Sequence, residues 1–202
     1  MDTKQKLVVV GNGMAGMRTL EELLKLAPDL YDITVFGAEP YPNYNRILLS
    51  PVLTGEQTLR DIVLNDEDWY VRHGIRLLLN RKVVGVNRAR RIALADDGTE
   101  APYDRLLLAT GSNPFILPVP GSNLDGVIAF RDIGDVNRMI EASSRYRHAV
   151  VIGGACWGWR PPMAWPRVAW MCRWCISGNR CWTGSLTAAP RHCCAAVSKR
   201  VD

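Results

Sequence analysis

Gly11-Asn12-Gly13-Met14-Ala15-Gly16 and the acid Glu39, 23 residues past Gly16, have the residue types and spacing for a definite chemistry. In a G-x-G-x-x-G turn the first glycine permits a tight bend and the second lets backbone approach a pyrophosphate with no Cβ in the way. The third allows a helix to pack closely on a strand. A helix starting at this turn presents unsatisfied N–H groups and a positive dipole end to phosphate oxygens. An acid at Glu39 can accept hydrogen bonds from both ribose hydroxyls, and its charge disfavours a 2′-phosphate.

Three glycines alone mark any surface turn, so the flanking elements decide. Lys6-Leu7-Val8-Val9-Val10 is a compact apolar run of the kind that forms a buried parallel strand, and it ends at Gly11. From Met14 to Leu26, apolar residues recur at helical spacing (Met17, Leu20, Leu23, Leu24), and Pro28 follows. Residues 32–36, Asp-Ile-Thr-Val-Phe, read as a second strand with Glu39 just beyond it. Strand, glycine turn, helix, strand and acid together form a dinucleotide fingerprint.

Further along, residues 82–86 and 91–94 are short strands, Asp97-Gly98 is a turn, and residues 103–108 are a strand running into Ala109-Thr110-Gly111. Short antiparallel strands between parallel ones predict a β-meander capping one face of a doubly wound sheet. Residues 148–154 begin a second strand-to-glycine turn. The predicted fold class is α/β: a Rossmann-like domain with a parallel sheet and an antiparallel meander, followed by a truncated second Rossmann start.

In three segments, residues 8–16, Tyr44-Asn45-Arg46-Ile47-Leu48-Leu49-Ser50-Pro51 and residues 107–112, the sequence resembles the two-dinucleotide-binding flavoprotein superfamily. It looks most like the N-terminal flavin module of NAD(P)H-dependent nitrite reductase large subunits. The resemblance implies that Gly11, Gly13, Met14, Ala15 and Gly16 wrap the FAD pyrophosphate and that Glu39 holds the adenosine ribose. It further implies that Asn45 and Arg46 lie along the pyrophosphate and flavin, that Val83 meets the adenine through backbone atoms, and that Thr110 and Gly111 close over the cofactor. A planar guanidinium suits a phosphate or ring edge; the alternative for Arg46 is a solvated loop side chain.

Ferredoxin-reductase relatives usually carry a lysine after the Leu-Ser step. Here Pro51 follows Ser50, favouring the nitrite-reductase branch over the ferredoxin- or rubredoxin-reductase alternative. In the intact relative, NAD(P)H is the co-substrate, and electrons pass through FAD to iron–sulfur and sirohaem centres that reduce nitrite to ammonia. A small nitrite reductase subunit is the implied partner. The resemblance names no catalytic side chain, and none of His73, His148 and His192 has a partner motif; His73 reads as a surface residue at a helix end.

Composition breaks sharply near residue 155. Residues 1–155 hold 18 Lys/Arg against 19 Asp/Glu, one Trp and no Cys; residues 156–202 hold seven Lys/Arg against one acid, six Trp and all six Cys. The overall pI near 9.0 therefore reflects the tail, and the first part gives no reason to expect nucleic acid. Where a second fingerprint should continue, the chain reads Ala155-Cys156-Trp157-Gly158-Trp159-Arg160-Pro161-Pro162, and two prolines oppose a helix.

Restoring one G within codon 155 makes the bases spanning Trp157 and Gly158 spell glycine. It yields Gly-Gly-Gly-(Leu/Met/Val)-Leu-Gly-(Leu/Met/Val)-(Glu/Ala), an intact fingerprint. The expected organisation is residues 1–148 as the N-terminal portion of an FAD domain, residues 149–154 as the first strand of an NAD(P)H domain, and residues 155–202 as an out-of-frame tail. With the returning FAD segment not in the sequence, weak or no FAD retention and no nitrite reduction are expected of these 202 residues.

The rival reading makes the tail a zinc or nucleic-acid module using Cys172, Cys175, His192, Cys193 and Cys194 among arginines and tryptophans. Adjacent cysteines and the lack of a hydrophobic period weigh against it. No C-x-x-C precedes residue 156, so thiol-based disulfide reduction is not expected. No apolar run approaches membrane-spanning length, and the first six residues leave no room for the apolar core of a secretory signal; the expected location is cytoplasmic.

Overall fold

The computed structural model describes residues 4–116, 118–146, 148–152, 171–176 and 180–183. The chain forms two compact units, one of Met1–Arg46 with Leu59–Asn113 and the other of Ile47–Thr58 with Pro114–Asp202.

In the first unit, β1 (Gln5–Val10) leads through the glycine turn to α1 (Met14–Leu26) and β2 (Tyr31–Phe36). A short strand β3 (Asn43–Tyr44) precedes the segment assigned to the other unit, α2 (Leu49–Thr54). The first unit resumes with β4 (Val63–Asn65), α3 (Glu67–Arg72), β5 (Arg76–Leu78), β6 (Val83–Asn87), β7 (Ile92–Ala95), β8 (Glu100–Pro102) and β9 (Arg105–Leu108). Its main sheet has the order β5-β2-β1-β9 with all pairings parallel. β6-β7-β8 is an antiparallel meander, and β3 pairs antiparallel with β4.

The alternation of β1 explains its two-sided burial. Leu7 and Val9 face a core made with Met17 and Leu20 of α1, Ile33 and Val35 of β2, and Tyr70 and Ile75. Val8 and Val10 face the other way, against Phe36, Leu78 and the small meander residues Ala93, Ala95 and Ala101. Complete burial of each leucine or valine of β1 stabilises the fold by about 1.5–3 kcal/mol, so the strand is fixed by burial on both faces.

The helix expected from Met14 to Leu26 forms over that span, and the strands expected at 82–86, 91–94 and 103–108 form within one to two residues of their expected ends. His73 is the exposed C-cap of α3, as expected of a surface residue at a helix end.

In the second unit, Pro51 lies in the first turn of α2, where the missing N–H costs no intrahelical bond. Helix α4 (Ile133–Arg145) opens on a capping box: Asp132 Oδ1 accepts from the Asp135 N–H at 2.8 Å, and the Asp135 carboxylate accepts from the Asp132 N–H. Strand β10 (His148–Ile152) pairs parallel with β11 (Met171–Ile176), which pairs antiparallel with β12 (Arg180–Thr183). Residues 153–154, the prolines at 161 and 162, and His192, Cys193 and Cys194 lie outside the described residues. Among the described residues, no group of three or more His, Cys, Asp or Glu is placed to hold a metal, and no helix is long and apolar enough to cross a membrane.

Candidate functional site: the glycine turn and its acid

β1 lies between β2 and β9, so the chain leaves it to one side and later returns on the other. This is the topological switch point at which open α/β sheets bind ligands, beyond the carboxyl ends of their strands. The glycine turn stands at that end of β1. Gly11 N–H donates to Phe36 O at 2.9 Å and Ala109 N–H donates to Val10 O at 2.8 Å, tying the turn to both neighbours.

Each glycine has a distinct environment. Gly11 has φ +112°, and a Cβ there would stand 2.2 Å from the Ala109 carbonyl oxygen. At Gly16 a Cβ would meet Gly11 O at 2.9 Å and the Ala109 Cβ at 3.0 Å, which is the close helix–strand contact its position predicts. At Gly13, by contrast, nothing lies within 4 Å of where a Cβ would be. Gly13 is the N-cap of α1 with no side-chain cap, and its carbonyl accepts from the Met17 N–H at 3.1 Å. Helix geometry leaves the N–H groups of Met14, Ala15 and Gly16 without intrahelical acceptors, and no acid occupies this first turn.

Glu39 lies beyond β2, half-buried, and its carboxylate is engaged on both oxygens: Oε2 accepts from the Tyr44 hydroxyl at 2.6 Å and Oε1 pairs with Arg46 Nη2. The Arg46 guanidinium also lies over the Tyr44 ring, 5.1 Å from its centroid. The structure thus brings Glu39 and Arg46 into direct contact, and Arg46 is not a solvated loop side chain.

The Asn45 N–H donates to Ile62 O at 2.8 Å. Val83 opens β6 opposite Ala95 and packs against the meander-side core. Thr110 and Gly111 are exposed just past β9, and Gly111 has φ +69°.

Sequence reasoning missed a polar layer beneath the turn. The buried Tyr70 hydroxyl donates to Asn12 Oδ1 at 2.7 Å, and Asn12 Nδ2 donates to Tyr41 O at 3.4 Å, so the residue between the first two glycines is anchored from α3. Burial pushes the Tyr70 hydroxyl up to about 12, against the bonds it shares with Asn43 and Asn12. Asn65 donates to Glu21 at 3.0 Å and holds that carboxyl below its ordinary value. The only sequence signal for this layer is a set of isolated Asn and Tyr residues whose spacing follows neither a helix nor a strand.

With the turn, the strand order and the acid in place, comparison with known proteins decides the family: the model for pyridine nucleotide-disulphide oxidoreductases matches residues 5–160. The chain belongs to that family. The pyridine nucleotide-disulphide oxidoreductase fold, a Rossmann-like α/β domain, is also that of solved structures similar to it. NADH:rubredoxin oxidoreductase from Clostridium acetobutylicum superimposes with a TM-score of 0.74 at 21% identity, over 86% of this chain and 45% of that one. A covalent putidaredoxin reductase–putidaredoxin complex gives 0.73 at 26%, over 86% and 42%.

Among curated relatives, a nitrite reductase [NAD(P)H] of Bacillus subtilis is 54% identical over 155 residues, 77% of this chain and 19% of the relative. An assimilatory nitrate reductase electron transfer subunit of the same organism is 46% identical over 155 residues, 77% of this chain and 20% of the relative. The chain thus spans about one fifth of the length of these relatives. Residues 1–155 of the chain contain no cysteine.

Proposed function

We propose that residues 1–148 are the N-terminal portion of an FAD-binding domain in an NAD(P)H oxidoreductase of the nitrite-reductase type. The observation that carries this is the open approach at Gly13: a helix N-terminus with uncapped N–H groups, no acid in its first turn and no atom where a Cβ would stand, beside the strand end that leads to Glu39. Those features fit the diphosphate and ribose of an adenine dinucleotide. FAD, when bound, supplies hydride acceptance and stepwise electron release. The chain's own contribution is to bind and orient. In this reading Gly11, Gly13, Met14, Ala15 and Gly16 surround the pyrophosphate, Glu39 takes the ribose, Asn45 and Arg46 flank the ligand, Val83 meets the adenine, and Thr110 with Gly111 covers it.

The 54% identity to a nitrite reductase, against 32% to a chlorobenzene dioxygenase ferredoxin reductase component from Cupriavidus, supports the nitrite-reductase branch over the ferredoxin-reductase one. In that branch the acceptors are iron–sulfur and sirohaem centres in other parts of the relatives, with a small nitrite reductase subunit as redox partner and the cytoplasm as location. Titrating the purified chain with FAD and displacing it with ADP tests the assignment: competition is the expected result, and displacement by FMN but not by ADP overturns it.

We also propose that residues 155–202 are translated out of frame. The family match ends at residue 160, close to where composition changes, and one restored base regenerates the fingerprint. Sequencing the DNA across codons 150–160 in an independent isolate tests this. A related locus with the same tail and no frame change contradicts it.

A further inference from the structure

We infer that Tyr44 is a positioning residue for Glu39: its buried hydroxyl, acting with Arg46, fixes the carboxylate so that two acceptor positions remain for the hydroxyls of an adenosine ribose. The inference rests on the nucleotide reading above and assigns the residue that makes the acid selective.

Glu39 stands on a loop, and an acid there would otherwise be free to turn. Its main chain is held, since its carbonyl accepts from the Asn80 N–H at 3.1 Å, but the carboxylate direction depends on what it bonds. Tyr44 is 4% exposed and belongs to β3, which is paired with β4, so its hydroxyl is delivered from a rigid element. The 2.6 Å contact to Oε2 is a short, charge-assisted hydrogen bond.

An ionised carboxylate has about four acceptor positions. Tyr44 takes one on Oε2 and Arg46 one on Oε1, which leaves one on each oxygen. Two acceptors on adjacent oxygens match a vicinal diol. Arg46 adds a second effect, because its charge offsets the repulsion between Glu39 and a neighbouring diphosphate. The Tyr44 ring beneath the guanidinium holds that counter-ion as well. Glycine spacing and the acid alone do not reveal this clamp; it requires β3 to bring residue 44 back to residue 39.

The test is calorimetric titration of the 202-residue chain with ADP and with 2′,3′-dideoxy-ADP, which lacks both hydroxyls. Tyr44→Phe removes the hydroxyl and keeps the ring under Arg46. It is expected to weaken ADP binding about tenfold, the effect of losing one bond to a charged group, and to change dideoxy-ADP binding less than about twofold. In a Glu39→Ala background the same substitution is expected to add nothing, because the coupling runs through the acid. Tyr44→Met, which keeps bulk without the hydroxyl, is expected to show the same ribose-dependent loss and serves where Tyr44→Phe does not fold.

Equal losses on both nucleotides, an unchanged ADP affinity, or a loss that persists without Glu39 overturns the positioning role while leaving the nucleotide site intact. A folded wild-type chain that binds neither nucleotide overturns the underlying reading instead.

Discussion

Alanine substitutions at Gly11 and Gly13 should separate folding from binding within one turn. At Gly11 an added Cβ stands 2.2 Å from the Ala109 carbonyl oxygen and 2.7 Å from its carbon, with φ at +112°. A non-glycine residue in such a conformation costs about 1–3 kcal/mol, and forcing backbone apart adds about 1–3 kcal/mol. The total of roughly 2–6 kcal/mol is a large part of the ~5–15 kcal/mol that holds a domain folded.

At Gly13 the arithmetic reverses. Its φ of −89° and ψ of 173° are extended backbone that alanine adopts freely, and nothing lies within 4 Å of the new methyl. Glycine is a much better N-cap than alanine, so the lost cap preference costs about 0.5–1.5 kcal/mol, and the lower chain entropy of the unfolded state returns about 0.4–1 kcal/mol. Stability should stay within about 1 kcal/mol of wild type. The methyl does, however, occupy the approach to the Met14 and Ala15 N–H groups. Losing one charged hydrogen bond there, about 1.5–3 kcal/mol, corresponds to a roughly 10- to 100-fold weaker ADP affinity. Urea melts followed by circular dichroism and calorimetric ADP titration measure the two quantities separately. A Gly13→Ala chain that binds ADP as wild type does, or a Gly11→Ala chain as stable as wild type, would refute the account of the turn.

Other consequences follow from the same contacts. Tyr70 titrates near 10 when unfolded and at about 12 when folded, so the folded state keeps its proton longer. The contribution of this hydroxyl is full below pH 10 and lost as pH rises towards about 12, giving an alkaline limb in urea stability that Tyr70→Phe should flatten. At neutral pH the same substitution leaves Asn12 without its 2.7 Å partner and should cost about 1–3 kcal/mol by urea denaturation. Asp132→Ala removes the side chain that caps α4 through the Asp135 N–H and should destabilise the chain by about 1 kcal/mol; no change in midpoint would show that the capping box contributes nothing.

What the sequence discloses depends on how local the determining physics is. The run from Lys6 to Phe36 carries its own instructions: an apolar strand, a glycine turn that cannot be helical at Gly11, and an amphipathic helix with Met17 and Leu20 on one face. The observed β1, α1 and β2 follow it closely. The meander is legible for the same reason, because alternating short runs and Asp97-Gly98 specify hairpins.

β3, β4 and β5 are two or three residues long, too short for any period to register, and their pairing is set by tertiary packing. The Glu39–Tyr44–Arg46 cluster depends on that pairing. Sequence could nominate the acid and the arginine separately but not their contact. The Tyr70–Asn12 bond joins residues 58 positions apart, and no local pattern encodes it.

The most direct measurement of the central claim is calorimetric titration of the 202-residue chain, shown to be folded by circular dichroism, with ADP. Saturable binding near one ADP per chain, competitive with FAD and weakened in Gly13→Ala and Glu39→Ala chains of wild-type stability, is the predicted result. A folded chain that gives no binding heat with ADP at any accessible concentration contradicts it.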